Sequence, residues 1–238
     1  MGTNTDPYQK AEGKYHLTRG IVQVLGEARN PFSILTKSTL VLRDLDVLSE
    51  AAARTSVRLN FSIGTLEREV WRLTEPGTPP PDKRVEAVRR LNDAGIECGV
   101  LVAPVLPGLS DRDDQVRAVV DACVEAGAAS VSAIPLHLRP GVKEHYLAWL
   151  AAARPDLAPL YEERFNGRAY QPKAITGDLS DRVRVFLREA ERRYGRRQTR
   201  HVDTSDGDRR RTLAEQGIGD EATMPPPVPP PTQLDLGL

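Results

Sequence analysis

The chain has 238 residues, enough for one sizeable domain with its own core, or one domain with tails. Its 33 basic and 33 acidic residues cancel, so no global field draws it to nucleic acid or membrane, and any such contact must come from a local patch. A hydrophobic share of 39% suits a globular protein; no apolar run reaches the roughly 20 residues that span a bilayer, Met1–Gln9 lacks the regions of a signal peptide, and two cysteines give no disulfide framework, so a cytoplasmic location is expected.

The opening run Gly2–Tyr8 (GTNTDPY) reads as the outgoing end of a strand, because it feeds straight into a helical stretch over 10–28. There Tyr15, Thr18, Val22, Leu25 and Ala28 share one face. Asn30-Pro31 breaks that helix, and FSILT at 32–36 follows as a buried strand. Val41, Leu45, Leu48 and Ala52 mark the next helix. VRLNFSI at 57–63 is a second strand, with a short helix near 66–73 after it. A Pro-rich loop over 74–81 leads to Asp82, read as the N-cap of a helix running to Ala94 and closed by Gly95. IECGVLVA at 96–103 is a third strand; a helix from Ser110 or Asp111 to Gly127 and a fourth strand over 129–136 follow. Helices are predicted near 141–153, 155–165 and 178–194.

Strands alternating with helices at this pitch, each strand nearly continuously apolar, predict an α/β fold built on parallel βα units. An open doubly wound sheet and a barrel both satisfy the pattern. Beyond about Tyr194 the periodicity stops and polar and proline residues take over, so 196–232 reads as a disordered linker, ending in the apolar hexapeptide 233–238. The expected organisation is a barrel-like domain over 1–150, a helical extension over 151–195, the linker and the hexapeptide.

In parallel β/α folds, working residues gather at the C-terminal ends of strands. Those ends carry Thr3, Thr5 and Asp6; then Thr36, Lys37 and Ser38; then Asn60, Ser62 and Gly64; then Pro104 and the backbone around Val102; and finally His137 and Arg139. A carboxylate, a lysine and a serine on one rim suit a zwitterionic ligand with a ribose. Asp6 would accept from an ammonium, Lys37 donate to a carboxylate, and Ser62 bind hydroxyls. Singly, each has a plainer reading: Asp6-Pro7 as a turn, Ser62 satisfying a backbone group, His137 as structural. Lys37 as a Schiff-base lysine would need a buried, depressed amine. Cys98 and Cys123 read as small core residues.

With the rim in view, the sequence resembles the spore photoproduct lyase-like branch of the radical S-adenosylmethionine (SAM) superfamily, often called DNA repair photolyases. The resembling stretches are GTNTDPYQ at 2–9 with Glu12, SILTKS at 33–38, LRDLD at 42–46, FSIG at 61–64, TEPG at 74–77, RVEAVRRL at 84–91, APVLPGLSD at 103–111 and HLRPG at 137–141. The ordered set covers roughly 1–150. It implies an incomplete parallel (β/α) barrel of the partial TIM type, of which this chain supplies the end of the second strand through the sixth. It further implies that Thr5 and Asp6 hold the SAM amino group, that Lys37 and Ser62 contact its carboxylate and ribose, and that the backbone near Val102 lies beside adenine. His137 and Arg139 fall on the substrate side. Such enzymes reduce SAM at a [4Fe-4S] cluster to a 5′-deoxyadenosyl radical. The family holds that cluster on a CxxxCxxC loop, and this sequence departs from it: its two cysteines stand 25 positions apart, so no metal ligand and no catalytic residue is assigned. The expectation is a truncated chain, inactive by itself; the alternative is a non-catalytic adaptor with a SAM pocket or one that binds the sliding clamp.

Two features bear on partners. QLDLGL at 233–238, with Gln233, Leu234, Leu236 and Leu238, resembles the peptide by which bacterial repair proteins bind the sliding clamp. The arginines at 182, 184, 188, 192, 193, 196, 197 and 200 form a local basic run, read either as a phosphate contact or as a solvated helix face.

Overall fold

In a computed structural model the described residues are 1, 2 and 5–195; the linker 196–232 and the hexapeptide 233–238 lie outside them, as does Thr3. Four strands form one sheet: β1 (Phe32–Thr36), β2 (Val57–Ser62), β3 (Glu97–Val105) and β4 (Val131–Pro135). They lie side by side in chain order and every pairing is parallel. The predicted strands are all present, within a few residues of their expected bounds. Consecutive parallel neighbours require crossovers, and each crossover here contains a helix.

Nine helices are present among the described residues: α1 (Glu12–Tyr15), α2 (Leu17–Glu27), α3 (Leu45–Ala52), α4 (Arg68–Thr74), α5 (Pro81–Asp93), α6 (Asp113–Glu125), α7 (Val142–Ala153), α8 (Ala158–Phe165) and α9 (Lys173–Tyr194). Ile34, Leu59, Phe61, Val100 and Val131 of the sheet are fully buried in one core with Val22, Leu48, Val88, Val120 and Val183 of the helices. Each such side chain contributes about 1.5–3 kcal/mol relative to exposure. The long α9 returns to this core through Leu179, Phe186 and Leu187. A smaller core joins α7 and α8 to the loops after β3 and β4, through Leu106, Leu136, Leu138, Leu150, Tyr161 and Phe165.

Several helix boundaries differ from the sequence expectation. The stretch 10–28 is two helices, because His16 takes left-handed backbone angles (φ 54) between them. Its core face is Thr18, Val22 and Gly26, while Tyr15 and Ala28 are exposed. Asp82 does not cap α5; Pro81 opens that helix, where its missing N–H costs nothing. Ser110 and Asp111 precede α6 and instead tie down the loop, accepting from the amides of Leu106 (3.0 Å) and Gly108 (2.8 Å). Helix α9 begins at Lys173, earlier than predicted.

Met1 lies beside β1, while residues 3 and 4 of the expected strand end lie outside the described ones. The Met1 amino group donates to the Ser33 carbonyl (2.6 Å) and the Leu35 amide donates to the Met1 carbonyl (3.0 Å), the pattern of a parallel neighbour on the outer edge of β1. Gly2 takes φ 100 there, and a Cβ would stand 2.0 Å from the Leu35 carbonyl oxygen.

Helix α2 has no side-chain cap of its own at His16. The Glu12 carboxylate takes that role, accepting from the amides of Thr18 (2.9 Å) and Arg19 (3.4 Å) and from Arg43 (3.1 Å). Burial pushes the Glu12 carboxyl up, but the two amides and the guanidinium outweigh it and hold the group below its ordinary value. A carboxyl depressed in the folded state contributes stability above its unfolded value and loses that contribution as the pH falls. Glu12→Gln is therefore expected to lower the melting temperature at pH 7 and to flatten its fall below the ordinary carboxyl value of 4.5, measured by thermal melts across pH. Just beyond β2, a Cβ on Gly64 would meet the Pro104 carbonyl oxygen at 2.9 Å. Gly64→Ala is expected to cost about 1–3 kcal/mol in chemical denaturation, because backbone must move to admit the methyl.

Candidate functional site

All four strands end at one rim, and there the ladder runs out of backbone partners. Asp6 supplies replacements at the end of β1. Its Oδ1 accepts from the Tyr8 amide (2.9 Å) and the Thr36 hydroxyl (2.7 Å), and its Oδ2 from the Lys37 amide (2.8 Å). The turn reading of Asp6-Pro7 is thus correct, and it brings Asp6 against Lys37. Ser38 then accepts from the Leu40 amide (3.3 Å), starting a short 3-10 turn over Thr39–Asp44.

Asp6 and Lys37 line a cavity of about 950 Å³, with Tyr8, Arg43, Trp71 and Thr78 among its other walls. Lys37 is not enclosed: its side chain is 34% exposed, and its Nζ pairs with Glu75 Oε1 at 2.5 Å. That ion pair gives no support to the Schiff-base reading. The Tyr8 hydroxyl is buried, and burial together with the nearby Asp44 carboxylate raises its pKa far above the ordinary range.

Behind Lys37 stands a guanidinium that sequence reading did not single out. Arg84 on α5 is 1% exposed. It donates to the carbonyls of Pro79 (2.8 Å) and Ser62 (3.0 Å) and to the Thr78 hydroxyl (2.5 Å), and pairs with Glu75 Oε2 at 2.7 Å. Trp71 Nε1 also donates to Thr78 (3.0 Å). The Pro-rich loop is therefore anchored to the end of β2 through Arg84, and Lys37 is joined to both through Glu75. The sequence signal was present in TEPG at 74–77 and RVEAVRRL at 84–91, but nothing local shows that their charges meet.

The remaining rim residues have separate settings. Thr5 is exposed. Ser62 is buried and its hydroxyl donates to the Ala103 carbonyl (2.7 Å); it adjoins the network through its own carbonyl rather than lining the cavity. Val102 is fully buried within β3, in register with Ala133 of β4. His137 and Arg139 lie beyond β4 and are exposed. His137 bridges to Tyr170, their rings stacked at 5.6 Å, and Arg139 donates to the Tyr170 hydroxyl at 3.5 Å. Tyr170, itself 57% exposed, was not foreseen, since it returns from the far side of α8.

The basic run on α9 is largely ion-paired. Arg182 meets Asp113 (2.6 Å) and Asp178 (2.9 Å), Arg184 meets Asp181 (2.7 Å), and Arg193 meets Asp121 (2.6 Å). Such a helix face is neutralised by its neighbours; the residues at 196, 197 and 200 lie outside the described ones. No helix among the described residues is long and apolar enough to cross a membrane.

The two cysteines fit the core and not a metal. Cys98 and Cys123 are fully buried, in β3 and α6, and burial raises both thiols, that of Cys123 to about 12. A thiol so placed resists becoming the thiolate that an iron–sulfur cluster requires. These residues do not fit a [4Fe-4S] cluster.

Comparisons with known proteins agree with this architecture. A sequence model of the radical SAM superfamily matches residues 1–120. An uncharacterized protein of Mycobacterium tuberculosis is 40% identical over 187 residues, covering 79% of this chain and 55% of that relative. An uncharacterized protein of Methanocaldococcus jannaschii is 33% identical over 111 residues, 47% of this chain and 41% of its own. This chain thus spans about half the length of these relatives. Among solved structures, spore photoproduct lyase complexed with dinucleoside spore photoproduct superposes with a TM-score of 0.58 at 20% identity, over 75% of this chain and 54% of that one. The same enzyme as a mutant with bound AdoMet and dinucleoside spore photoproduct gives 0.57 at 21% identity, with the same coverage. The likeness is one of fold, and the superfamily match over residues 1–120 covers β1 to β3 with Asp6, Lys37 and Arg84. The chain belongs to the radical SAM superfamily.

Proposed function

We propose that this chain is the SAM-holding part of a radical SAM enzyme that acts on nucleic acid. The observation that carries the reading is the pairing of spare hydrogen-bonding capacity of opposite sign in one cavity. A carboxylate offers about four lone-pair sites; among the described residues Asp6 uses three, leaving room on Oδ2 for an ammonium. An ammonium offers three donors, and Lys37 gives one to Glu75, leaving two for a carboxylate. An amino acid placed between them is met at both charges.

In this reading Thr5 assists Asp6 with the amino group. Ser62, while donating to Ala103, keeps its acceptor lone pairs for a ribose hydroxyl. The backbone near Val102 borders the adenine. When bound at a reduced cluster, SAM supplies the family's radical chemistry; no residue of this chain is assigned to that step, because its cysteines do not fit a cluster. The proposal for these residues is binding and orientation.

The nucleic-acid part rests on the His137–Tyr170 stack with Arg139 beside it. Exposed aromatic faces stack on bases irrespective of sequence, and a guanidinium suits phosphate. The solved lyase complex carries a dinucleoside lesion, which is consistent with this substrate class.

Isothermal titration calorimetry is expected to show SAM binding to the purified chain, weakened about tenfold or more in Lys37→Ala, the loss of a charge-assisted hydrogen bond. Absence of binding to the unsubstituted chain, or an unchanged affinity in the variant, would overturn the SAM assignment. Tyr170→Ala is expected to weaken binding of a single-stranded oligonucleotide about tenfold in fluorescence anisotropy; an unchanged affinity would remove the stack from the substrate surface.

A further inference from the structure

We infer that Glu75 is the residue that positions Lys37, and that buried Arg84 in turn fixes Glu75. The inference rests on the reading that the cavity takes SAM, and adds to it the group that keeps the carboxylate-binding ammonium in place.

A lysine on a loop holds a point charge at the end of a flexible stem and gives up much rotamer freedom when it is fixed. Lys37 is one residue beyond β1, so its backbone is set by Asp6, but its ammonium needs a second anchor. Glu75 provides it by dividing its two oxygens, Oε1 to Lys37 at 2.5 Å and Oε2 to Arg84 at 2.7 Å. Arg84 is held in place, because three further donors go to Pro79, Ser62 and Thr78 in a nearly dry setting. The chain of contacts runs from the end of β2 through Arg84 and Glu75 to the tip of Lys37.

The charges in this chain also favour the assignment. Arg84, Glu75 and Lys37 together carry a net charge of plus one, with the unshared positive end toward the cavity. Without the carboxylate, two cations would face each other across its place, and Lys37 would swing away from Arg84. A competing role for Glu75 has the opposite sign: a latch that occupies Lys37 until the ligand's carboxylate displaces it, so that its removal tightens binding. The two differ in what Glu75→Gln does, since glutamine keeps the shape and loses the charge.

The test is calorimetry of the unsubstituted chain and Glu75→Gln with SAM and with 5′-methylthioadenosine, which lacks both the amino and carboxylate groups. If Glu75 positions Lys37, the variant binds SAM about tenfold more weakly, while its affinity for methylthioadenosine stays at the unsubstituted value. Unchanged or tighter SAM binding overturns the inference, as does equal weakening for both ligands. A second measurement needs no ligand and no variant to fold. Lys37 of the unsubstituted chain should react with acetic anhydride more slowly than exposed Lys83, read by mass spectrometry of the digested protein, and equal rates overturn the inference. Should the unsubstituted chain bind no SAM, the ligand reading fails, while the acetylation contrast still reports on Glu75 and Lys37.

Discussion

A parallel sheet ends in a row of backbone groups that have no strand left to bond, and the rim of this protein is shaped by how those groups are satisfied. At β1 the solution is the Asp6 carboxylate, which takes the amides of Tyr8 and Lys37 and the Thr36 hydroxyl. At β2 it is the Arg84 guanidinium, which reaches the Ser62 carbonyl from α5. Between β2 and β3 it is the Ser62 hydroxyl on the Ala103 carbonyl. A charged side chain and a strand end thus solve each other's desolvation problem, since a buried ion is tolerated only where its hydrogen bonds are met. Of these tethers, Asp6 lines the cavity directly, and Arg84 borders it through Thr78 and Pro79.

The same economy governs the charge cluster under the N-terminal helices. Asp44 is fully buried in its side chain and is shared by Arg19 (3.3 Å) and Arg43 (2.8 Å), while Arg43 also reaches Glu12. Removing Arg43 would take a guanidinium from two buried carboxylates, Asp44 and Glu12, which costs more than the pairs contribute by being formed. Because Arg43 also lines the cavity, this charge cluster reaches the cavity wall, beside the core residue Tyr8.

The strands and their parallel pairing could be read from the sequence because apolar runs and intervening helices are local signals, whereas the pattern alone left their order open between a doubly wound sheet and a barrel. Asp6 and Lys37, which sit where a strand ends and a helix or turn begins, could be read as well. What could not be read depends on distance along the chain. Glu75 meets Lys37 from 38 residues away, and Arg84 meets Glu75 from the far side of the Pro-rich loop. Tyr170 pairs with His137 only because α7 and α8 fold back over the loops of β4. The helix boundaries erred for a related reason: the 10–28 periodicity continues through His16, but the left-handed turn there is set by Glu12 capping the next helix, a contact that periodicity does not encode.

A residue that holds the fold together is not thereby excluded from binding, and this rim shows how to decide between the two. The test is remaining capacity. Asp6 is structurally committed on Oδ1 and still has room on Oδ2; Ser62 has spent its proton and kept its lone pairs; Lys37 has used one donor of three. The cysteines fail the same test. Buried on β3 and α6 with their thiols raised by desolvation, Cys98 and Cys123 offer no accessible thiolate and no third partner. Applied evenly, the count separates two kinds of chemistry: Asp6 and Lys37 keep the spare capacity that the proposed zwitterion would need, and the two cysteines are not placed to ligate a cluster.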